Sequence, residues 1–268
     1  MKICFVQIQT IDACNAACRM CPYKSISHSG KIMDMKLFKR IIHELKKEID
    51  NEIITPNLNI HLYFQNEPLL DPLLFERVQY VKKILPHAYT IFSTNGLLVP
   101  KYAPDIIASN FTQIYISLYG YDSNSYNYIT QSNISPEDYQ YMIQSITYIK
   151  LNSNLVVKVS PSWKKKNGEW TLFEYSSRAG FYTNTIYHHT IRGCKRKRNN
   201  EWINFHINGD MIICCMDWKK EVIIGNICEQ TLNNIFNSPT YREMLLKTTG
   251  KIKSEFYYIC KRCEWALI

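Results

Sequence analysis

Strand-like and helix-like segments alternate through the first two thirds of the chain, and this alternation restricts its fold more than any other feature. The strand-like segments are apolar runs rich in β-branched and aromatic residues: Ile3–Gln9, Leu58–Phe64, Tyr89–Ser93, Gln113–Leu118, Leu155–Ser160 and, more weakly, Thr185–His188. The segments between them carry apolar residues at helical spacing: 35–49, 72–85, 102–109 and 135–150. Because single helices separate successive strands, we expect right-handed βαβ units and a parallel sheet.

About six such units fit before residue 190, too few for a closed eight-stranded barrel. The expected fold class is therefore α/β, an open partial (β/α)6 barrel that occupies residues 1–188. The pattern then changes to a hairpin, with Asn208-Gly209 as its turn, and to short helices within 231–248. We expect residues 189–268 to form a small C-terminal α+β domain.

The composition describes a globular protein, since 46% of the 268 residues are hydrophobic. No apolar run is long enough to span a membrane. The N-terminus "MKICFVQIQTID" has neither the apolar stretch nor the small-residue cleavage site of a secretory signal. We therefore expect a cytoplasmic protein with no membrane partner.

Ten cysteines fall into two groups, and a reducing cytosol makes disulfides a poor explanation for them. The first group, Cys14, Cys18 and Cys21, has the spacing C-x3-C-x2-C on the loop after the first strand. The second group lies in the C-terminal part: Cys194, Cys214, Cys215, Cys228, Cys260 and Cys263. Cys4 stands apart on an apolar run and is interpreted as a small buried hydrophobe.

Three cysteines are one ligand short of a zinc site or an ordinary ferredoxin cluster. A 4Fe-4S cubane held by three thiolates keeps one iron without a protein ligand, and such an open position suits catalysis. The alternative is a zinc knuckle completed by a distant His.

The cysteine loop after the first strand of a partial barrel resembles the radical S-adenosylmethionine (SAM) superfamily. The resemblance implies that SAM chelates the open iron of a 4Fe-4S cluster on Cys14, Cys18 and Cys21. It also implies that an electron from the cluster cleaves SAM to a 5′-deoxyadenosyl radical, which removes a hydrogen atom from the substrate.

Further segments match SAM-binding motifs of this family in order. "FQNEP" (64–68) resembles the Gly-Gly-Glu-Pro turn, with Gln65 and Asn66 in place of the glycines and Glu67 as the group that receives the SAM ammonium. Asn tolerates unusual backbone angles, so the turn can survive this departure. "STNG", with Ser93, Thr94 and Asn95, is similar to the segment that meets the ribose.

Three single residues complete the SAM site that the resemblance implies. Ser117 matches a position that often binds the SAM carboxylate, and Lys158 either supplies charge there or lines the barrel wall. Met20 replaces the usual aromatic residue beside adenine, a change that a flexible thioether tolerates, and Tyr23 can assist it.

The C-terminal cysteines resemble the twitch domain, the short form of the SPASM extension, which carries one auxiliary 4Fe-4S cluster. The matching ligands are Cys194, Cys214, Cys260 and Cys263, with Cys215 as the alternate for Cys214 and Cys228 as a structural residue. A zinc site with four cysteines is the alternative. Full ligation by four cysteines would restrict the auxiliary cluster to outer-sphere electron transfer.

Within the family, the pattern is most similar to the aminocyclitol dehydrogenases, which have a single auxiliary cluster and no N-terminal peptide-binding domain. Arg178 in "SSRAGF" matches an arginine that serves there as substrate base or anchor. The alternative for Arg178 is a structural ion pair at the domain junction.

The formal net charge is +9, with basic runs at 163–170 and 194–200. These runs are either solvated loops or a surface that attracts an acidic partner or substrate. The resemblance implies flavodoxin or ferredoxin as the electron donor. No nucleic-acid-binding motif accompanies the charge, so we do not expect nucleic acid as a partner.

Three functions remain at this point. The leading hypothesis is an oxidoreductase that removes hydrogen from a small polar metabolite such as a sugar, aminocyclitol or nucleoside. The second is a maturase that crosslinks or epimerises a ribosomally made peptide. The third, from another class, is a non-catalytic protein that binds zinc or nucleic acid.

Overall fold

The computed structural model describes residues 2–161, 163–166, 169–172, 178–179, 181 and 186–268. The strands are β1 Ile3–Ile8, β2 Ile54–His61, β3 Tyr89–Thr94, β4 Gln113–Leu118, β5 Val156–Pro161, β6 Trp163–Lys166, β7 Glu169–Leu172, β8 Gly193–Cys194, β9 Trp202–Phe205, β10 Asp210–Ile212, β11 Ile223–Asn226 and β12 Ala266–Leu267. The α-helices are α1 Met35–Asp50, α2 Leu74–Ile84, α3 Val99–Ala108, α4 Ser123–Thr130, α5 Pro136–Asn152, α6 Leu232–Phe236 and α7 Pro239–Thr248.

One eight-stranded sheet organises the molecule, in the order β11-β10-β9-β1-β2-β3-β4-β5. Neighbouring strands from β9 to β5 are parallel, whereas β10 and β11 are antiparallel additions beyond β9. Helices pack against the sheet, and the predicted α/β class is confirmed. Two-stranded pairs β6-β7 and β8-β12 lie outside this sheet.

The sixth parallel strand differs from the prediction. Residues 186–188 of the predicted strand Thr185–His188 are irregular, and residue 185 lies outside the described residues. The sixth parallel partner is instead β9, which pairs with β1 from Phe5↔Trp202 to Ile8↔Phe205. The C-terminal part therefore continues the sheet of the N-terminal part, and the boundary at residue 188 stays a prediction.

Local sequence accounts for the main helices. In α1, the apolar side chains of Phe38, Ile41, Ile42 and Leu45 share one buried face, and the Asp34 carboxylate accepts the Lys36 N–H at 2.6 Å. In α5, the Ser135 hydroxyl accepts the Asp138 N–H and Pro136 occupies the first turn.

Helix α4 is not among the segments that carry apolar residues at helical spacing. Its first turn is a capping box: Asp122 accepts the Ser125 N–H at 2.8 Å, and the Ser125 hydroxyl accepts the Asp122 N–H at 3.1 Å. The Asn- and Tyr-rich sequence lacks the apolar periodicity by which longer helices are detected. Strand β11 was also missed.

Aromatic rings pack together inside the barrel. Phe5 stacks on Trp202 with ring centroids 4.5 Å apart, and His61 packs against both rings. Burial lowers the pKa of His61 to about 4, so this imidazole is neutral. The loops after β1 to β4 and β9 emerge at the carboxyl ends of the strands, where parallel sheets bind their ligands. No helix in the described part of the chain is long and apolar enough to cross a membrane.

Candidate active site

The cysteine loop after β1 is held by hydrogen bonds to neighbouring loops. The N–H groups of Ala17 and Arg19 donate to the carbonyls of Thr130 and Ile129 at 2.9 and 2.8 Å, at the end of α4. The Cys14 N–H donates to the Tyr23 hydroxyl at 2.9 Å. Helix α4, absent from the sequence prediction, thus provides the support on which this loop rests.

Cys14, Cys18 and Cys21 line one cavity of ≈ 320 Å³ at the carboxyl ends of the strands, which we call the cluster cavity. Burial raises the pKa of Cys14 to about 12 and also raises the pKa of Cys18 and Cys21. Neighbouring thiolates raise the pKa of Cys14 and Cys18 further. Three buried thiols become thiolates together only when a cationic metal centre compensates their charge. The donor set fits an iron–sulfur cluster with three protein ligands.

In the described residues, no three His, Cys, Asp or Glu side chains converge as they would on a single metal ion. The cysteines of each group instead face a common cavity.

Glu67 lies at the junction of three loops that meet at the cluster cavity. Its N–H donates to the Ala13 carbonyl at 2.9 Å, and its carboxylate accepts the N–H groups of Asn95 and Leu69 at 2.8 and 3.1 Å. The side chain is only 2% exposed and forms no ion pair with the described residues. Burial raises the pKa of Glu67 to about 7, against the lowering by these donors. A cationic ligand group in the cavity would stabilise the ionised form.

The other residues assigned to SAM binding lie in the same cavity wall, with one exception. The wall includes Met20, Gln65, Asn66, Ser93, Thr94, Asn95 and Ser117. In the turn where Gln65 and Asn66 replace the two glycines of the family motif, the Asn66 side-chain oxygen accepts the Phe64 N–H at 2.9 Å. The asparagine side chain thus stabilises the turn by its own hydrogen bond. Lys158 is exposed on the edge strand β5, over the Tyr115 ring, and does not line the cavity.

Arg178 reaches the cluster cavity from the C-terminal side, near the thiols of Cys21 and Cys215. Arg178 and Ala179 both have a φ of 53°, the left-handed region that non-glycine residues rarely adopt. Two successive residues in this region store backbone strain, which proteins tend to place at functional sites.

The four cysteines assigned to an auxiliary cluster line a second cavity, the auxiliary cavity. Cys194 lies on β8, which pairs with β12 at Cys194↔Ala266, and Cys214 follows β10. Cys260 and Cys263 lie on and directly after the 3-10 helix Ile259–Arg262. All four face one cavity, and burial raises the pKa of Cys214, Cys260 and Cys263. This four-thiol set fits a fully ligated iron–sulfur cluster.

Cys214 and Cys215 are adjacent but face different cavities. Cys214 lines the auxiliary cavity with the other three cysteines, whereas Cys215 lines the cluster cavity. Cys228 is exposed and lines neither. Arg198 and Met216 line both cavities and thus form the partition between them.

Several cavity residues were missed by sequence reasoning: Gln7, Tyr63, Tyr119, Arg198, Trp202 and Trp218. Gln7 carried a usable signal, because a polar residue within a buried strand points into a barrel interior rather than to the helices. Arg198 belongs to the basic run 194–200; Lys195, Arg196 and Lys197 are exposed as expected of a solvated loop, but Arg198 turns inward. The side chains of 163–170 lie outside the described residues.

Two family models match the chain. Residues 8–156, more than half of the chain, match the model described as the radical SAM superfamily. Residues 194–264 match SPASM, described as an iron–sulfur cluster-binding domain. No curated protein matches.

Solved structures share the fold. BtrN in complex with AdoMet and 2-DOIA superposes with a TM-score of 0.63 at 18% identity, covering 94% of this chain and 90% of that chain. Native anSMEcpe with bound AdoMet superposes with a TM-score of 0.61 at 14% identity, covering 97% of this chain and 87% of that chain. Streptococcus suis SuiB bound to S-adenosylmethionine superposes with a TM-score of 0.56 at 13% identity, covering 91% of this chain and 68% of that chain. At these identities the likeness concerns the fold alone.

Cys214 and Cys215, which face different cavities, provide a matched pair of variants. Cys214→Ala removes a thiol of the auxiliary cavity, so we expect the anaerobically purified protein to lose about half of its iron and sulfide, as for one of two clusters. Cys215→Ala is expected to keep the iron and sulfide content of the wild type. Iron loss in Cys215→Ala with retention in Cys214→Ala would reverse the assignment.

Proposed function

Since the chain belongs to the radical SAM superfamily, we propose that it is an oxidoreductase that acts on a small polar metabolite such as a sugar, aminocyclitol or nucleoside. The family domains bind a 4Fe-4S cluster with SAM and an additional iron–sulfur cluster. The family assignment argues against a non-catalytic zinc or nucleic-acid-binding protein. The observation that carries the proposal is the thin partition between the two cysteine-lined cavities.

We assign residues 1–188 to the catalytic barrel and 189–268 to the auxiliary cluster domain. In this assignment Cys14, Cys18 and Cys21 hold the first cluster, and Cys194, Cys214, Cys260 and Cys263 hold the second. When bound, SAM with its cluster supplies a radical that removes a hydrogen atom, and the auxiliary cluster supplies an acceptor for the remaining electron. Arg198 and Met216 line both cavities. In this assignment their side chains separate the substrate from the auxiliary cluster and keep the two close without direct contact.

The chain's own residues bind and orient the reactants in this proposal. Glu67 receives the SAM ammonium, Ser93 to Asn95 contact the ribose, and Ser117 contacts the carboxylate. Met20 is 7% exposed and packs against the apolar group around Ile129, which suits a cover for adenine.

Arg178 acts on the substrate oxygen. A guanidinium keeps its proton throughout the working pH range of proteins, so Arg178 donates hydrogen bonds and does not accept the proton. We therefore prefer the role of anchor to that of base. Its positive charge stabilises the negative charge that develops on a carbinol oxygen as the C–H bond is lost and the O–H proton leaves to solvent.

The reaction class is tested by replacing Cys14, Cys18 and Cys21 together with Ala. This variant is expected to form no 5′-deoxyadenosine from SAM under reducing conditions while retaining the iron of the auxiliary site. Chromatography of the products and iron analysis measure both. Wild-type rates of deoxyadenosine formation in the variant would contradict the assignment of these ligands.

The substrate class is tested in the same assay with the wild-type protein. Sugars, aminocyclitols and nucleosides are expected to increase deoxyadenosine formation and to appear as products two hydrogens lighter. Stimulation by a peptide alone, with a crosslinked or epimerised product, would identify a maturase instead.

Glu67→Gln tests the ammonium contact. The substitution keeps the size of the side chain but removes its charge, so SAM binding is expected to weaken by roughly 1.5–3 kcal/mol, the usual value for a hydrogen bond to a charged group. Isothermal titration of the anaerobic protein measures this change. Unchanged SAM affinity, with unchanged iron content, would show that Glu67 only fastens the loops.

We further propose flavodoxin or ferredoxin as the electron donor. Such carriers are acidic, the chain carries a net charge of +9, and the exposed Arg19 and Lys24 flank Cys21, the last cysteine of the first cluster loop. Opposite charges steer association, and the Debye length shrinks to about 8 Å at physiological salt. Flavodoxin-driven turnover is therefore expected to fall steeply with ionic strength.

Turnover driven by dithionite serves as the control for this expectation. Lys24→Glu should slow the flavodoxin-driven reaction and spare the dithionite-driven one, while Lys150→Glu, at the exposed end of α5, should affect neither. Equal slowing by Lys24→Glu with both reductants would place its effect in the active site rather than in docking.

A further inference from the structure

A third cavity opens beside the cluster cavity and has no role in the function proposed above. This side cavity, of ≈ 480 Å³, lies between Gln9 and Asp12 after β1, residues 26–31, and the segments that follow β9 and β10. Gln65 and Trp218 line both this cavity and the cluster cavity. The two cavities are therefore neighbours with a common wall.

Three deeply buried polar atoms in the wall of the side cavity have no hydrogen-bond partner within the described residues. They are Oε1 of Gln9, Nε2 of His206 and Nε1 of Trp218, on side chains that are 1, 2 and 8% exposed. Each buried polar atom without a partner costs about 1–3 kcal/mol. Three of them around one cavity indicate that a polar ligand supplies the missing partners.

The three atoms differ in what they require. The Gln9 amide nitrogen already donates to Asp12 at 3.2 Å, which leaves Oε1 as an acceptor, and the indole N–H of Trp218 only donates. Burial and the nearby Lys220 lower the pKa of His206 to about 3, so its ring is neutral and carries one donor and one acceptor. A ligand must therefore both donate and accept hydrogen bonds, as hydroxyl groups do.

The charged groups around the side cavity do not favour a cationic ligand. The Asp12 carboxylate is already occupied, because it accepts from the Ser29 N–H at 2.7 Å and the Ser29 hydroxyl at 2.8 Å and contacts His28 at 2.8 Å. Lys31 and Lys220 stand exposed at the rim. Neutral donors and acceptors together with an indole face match a hydroxylated ring.

We infer that the side cavity binds a second hydroxylated ring of the substrate, so that the enzyme acts on a two-ring glycoside rather than on a single sugar or cyclitol. This inference rests on the proposed function. One ring would occupy the cluster cavity near Arg178, and the linked ring would pass Gln65 and Trp218 into the side cavity.

The test measures binding without reductant, on the anaerobic protein saturated with SAM, by isothermal titration. The probes are matched pairs of one and two rings: glucosamine with its β-1,4 disaccharide, and myo-inositol with galactinol. In at least one pair, the two-ring probe is expected to bind at least tenfold more tightly. Absence of any gain from the second ring in both pairs, as for a cavity that holds only water, would overturn the inference.

Variants then locate the second ring. Gln9→Met keeps the length of the side chain but removes the acceptor, and His206→Phe keeps an aromatic ring in the side cavity but removes both ring nitrogens. We call the increase in affinity from the one-ring to the two-ring probe the two-ring gain. Each variant is expected to reduce this gain by about tenfold, equivalent to about 1.4 kcal/mol, and to leave the affinity for single rings unchanged. Gln140→Met, on the exposed face of α5, is the matched control and should retain the full gain.

Iron content and circular dichroism verify that each variant is folded. A two-ring gain that persists in both folded variants would place the second ring elsewhere and overturn the inference. Failure of the proposed function has a different signature, because no sugar, cyclitol, nucleoside or two-ring glycoside would then stimulate deoxyadenosine formation, whatever the probes bind.

Discussion

The parallel pairing of β9 with β1 is the constraint on which the arrangement of the site depends. Strand β1 leads into the first cysteine loop, and β9 leads through the hairpin into Cys214 and Cys215. Since parallel strands deliver their following loops to the same edge of a sheet, this pairing brings two segments nearly two hundred residues apart to one place. The partition between the two cysteine-lined cavities follows from it.

Glu67 gives the same edge its rigidity. Its backbone fastens the cysteine loop through Ala13, and its carboxylate fastens the turn after β3 through the Asn95 N–H. Asn95 in turn donates from its side chain to Asn15 at 2.8 Å. Three loops are therefore linked around one carboxylate, and a ligand that binds there meets a preorganised surface with little ordering entropy left to lose.

The sequence predicted those parts of the fold that local periodicity determines. Strands β1 to β5 and helices α1, α2, α3 and α5 were expected close to their observed positions because their apolar residues repeat at strand or helix spacing. The pairing of β9 with β1 could not be predicted in this way, because tertiary packing decides which strands pair when they lie far apart in the chain. Helix α4 was missed because a capping box, not an apolar face, defines it.

The features of the candidate site also differ in whether the sequence could predict them. The first cysteine group was found from its spacing, whereas Glu67 and the C-terminal ligand set came from the resemblance of their segments to motifs of the family. The opposite orientations of Cys214 and Cys215, the inward turn of Arg198 within a basic run and the polar wall at Gln9, His206 and Trp218 depend on how loops pack. No local pattern encodes such contacts between segments far apart in the chain.

Several unfavourable features surround the cavities at the carboxyl ends of the strands. They include the strained backbone at Arg178, the buried carboxyl of Glu67 with its raised pKa and the unpartnered atom of His206. Each of them lowers the stability of the empty protein. A ligand that offers a partner to the carboxyl of Glu67 or to the imidazole of His206 removes part of this cost, so groups that are unfavourable in the empty protein direct binding energy to the cavities beside them.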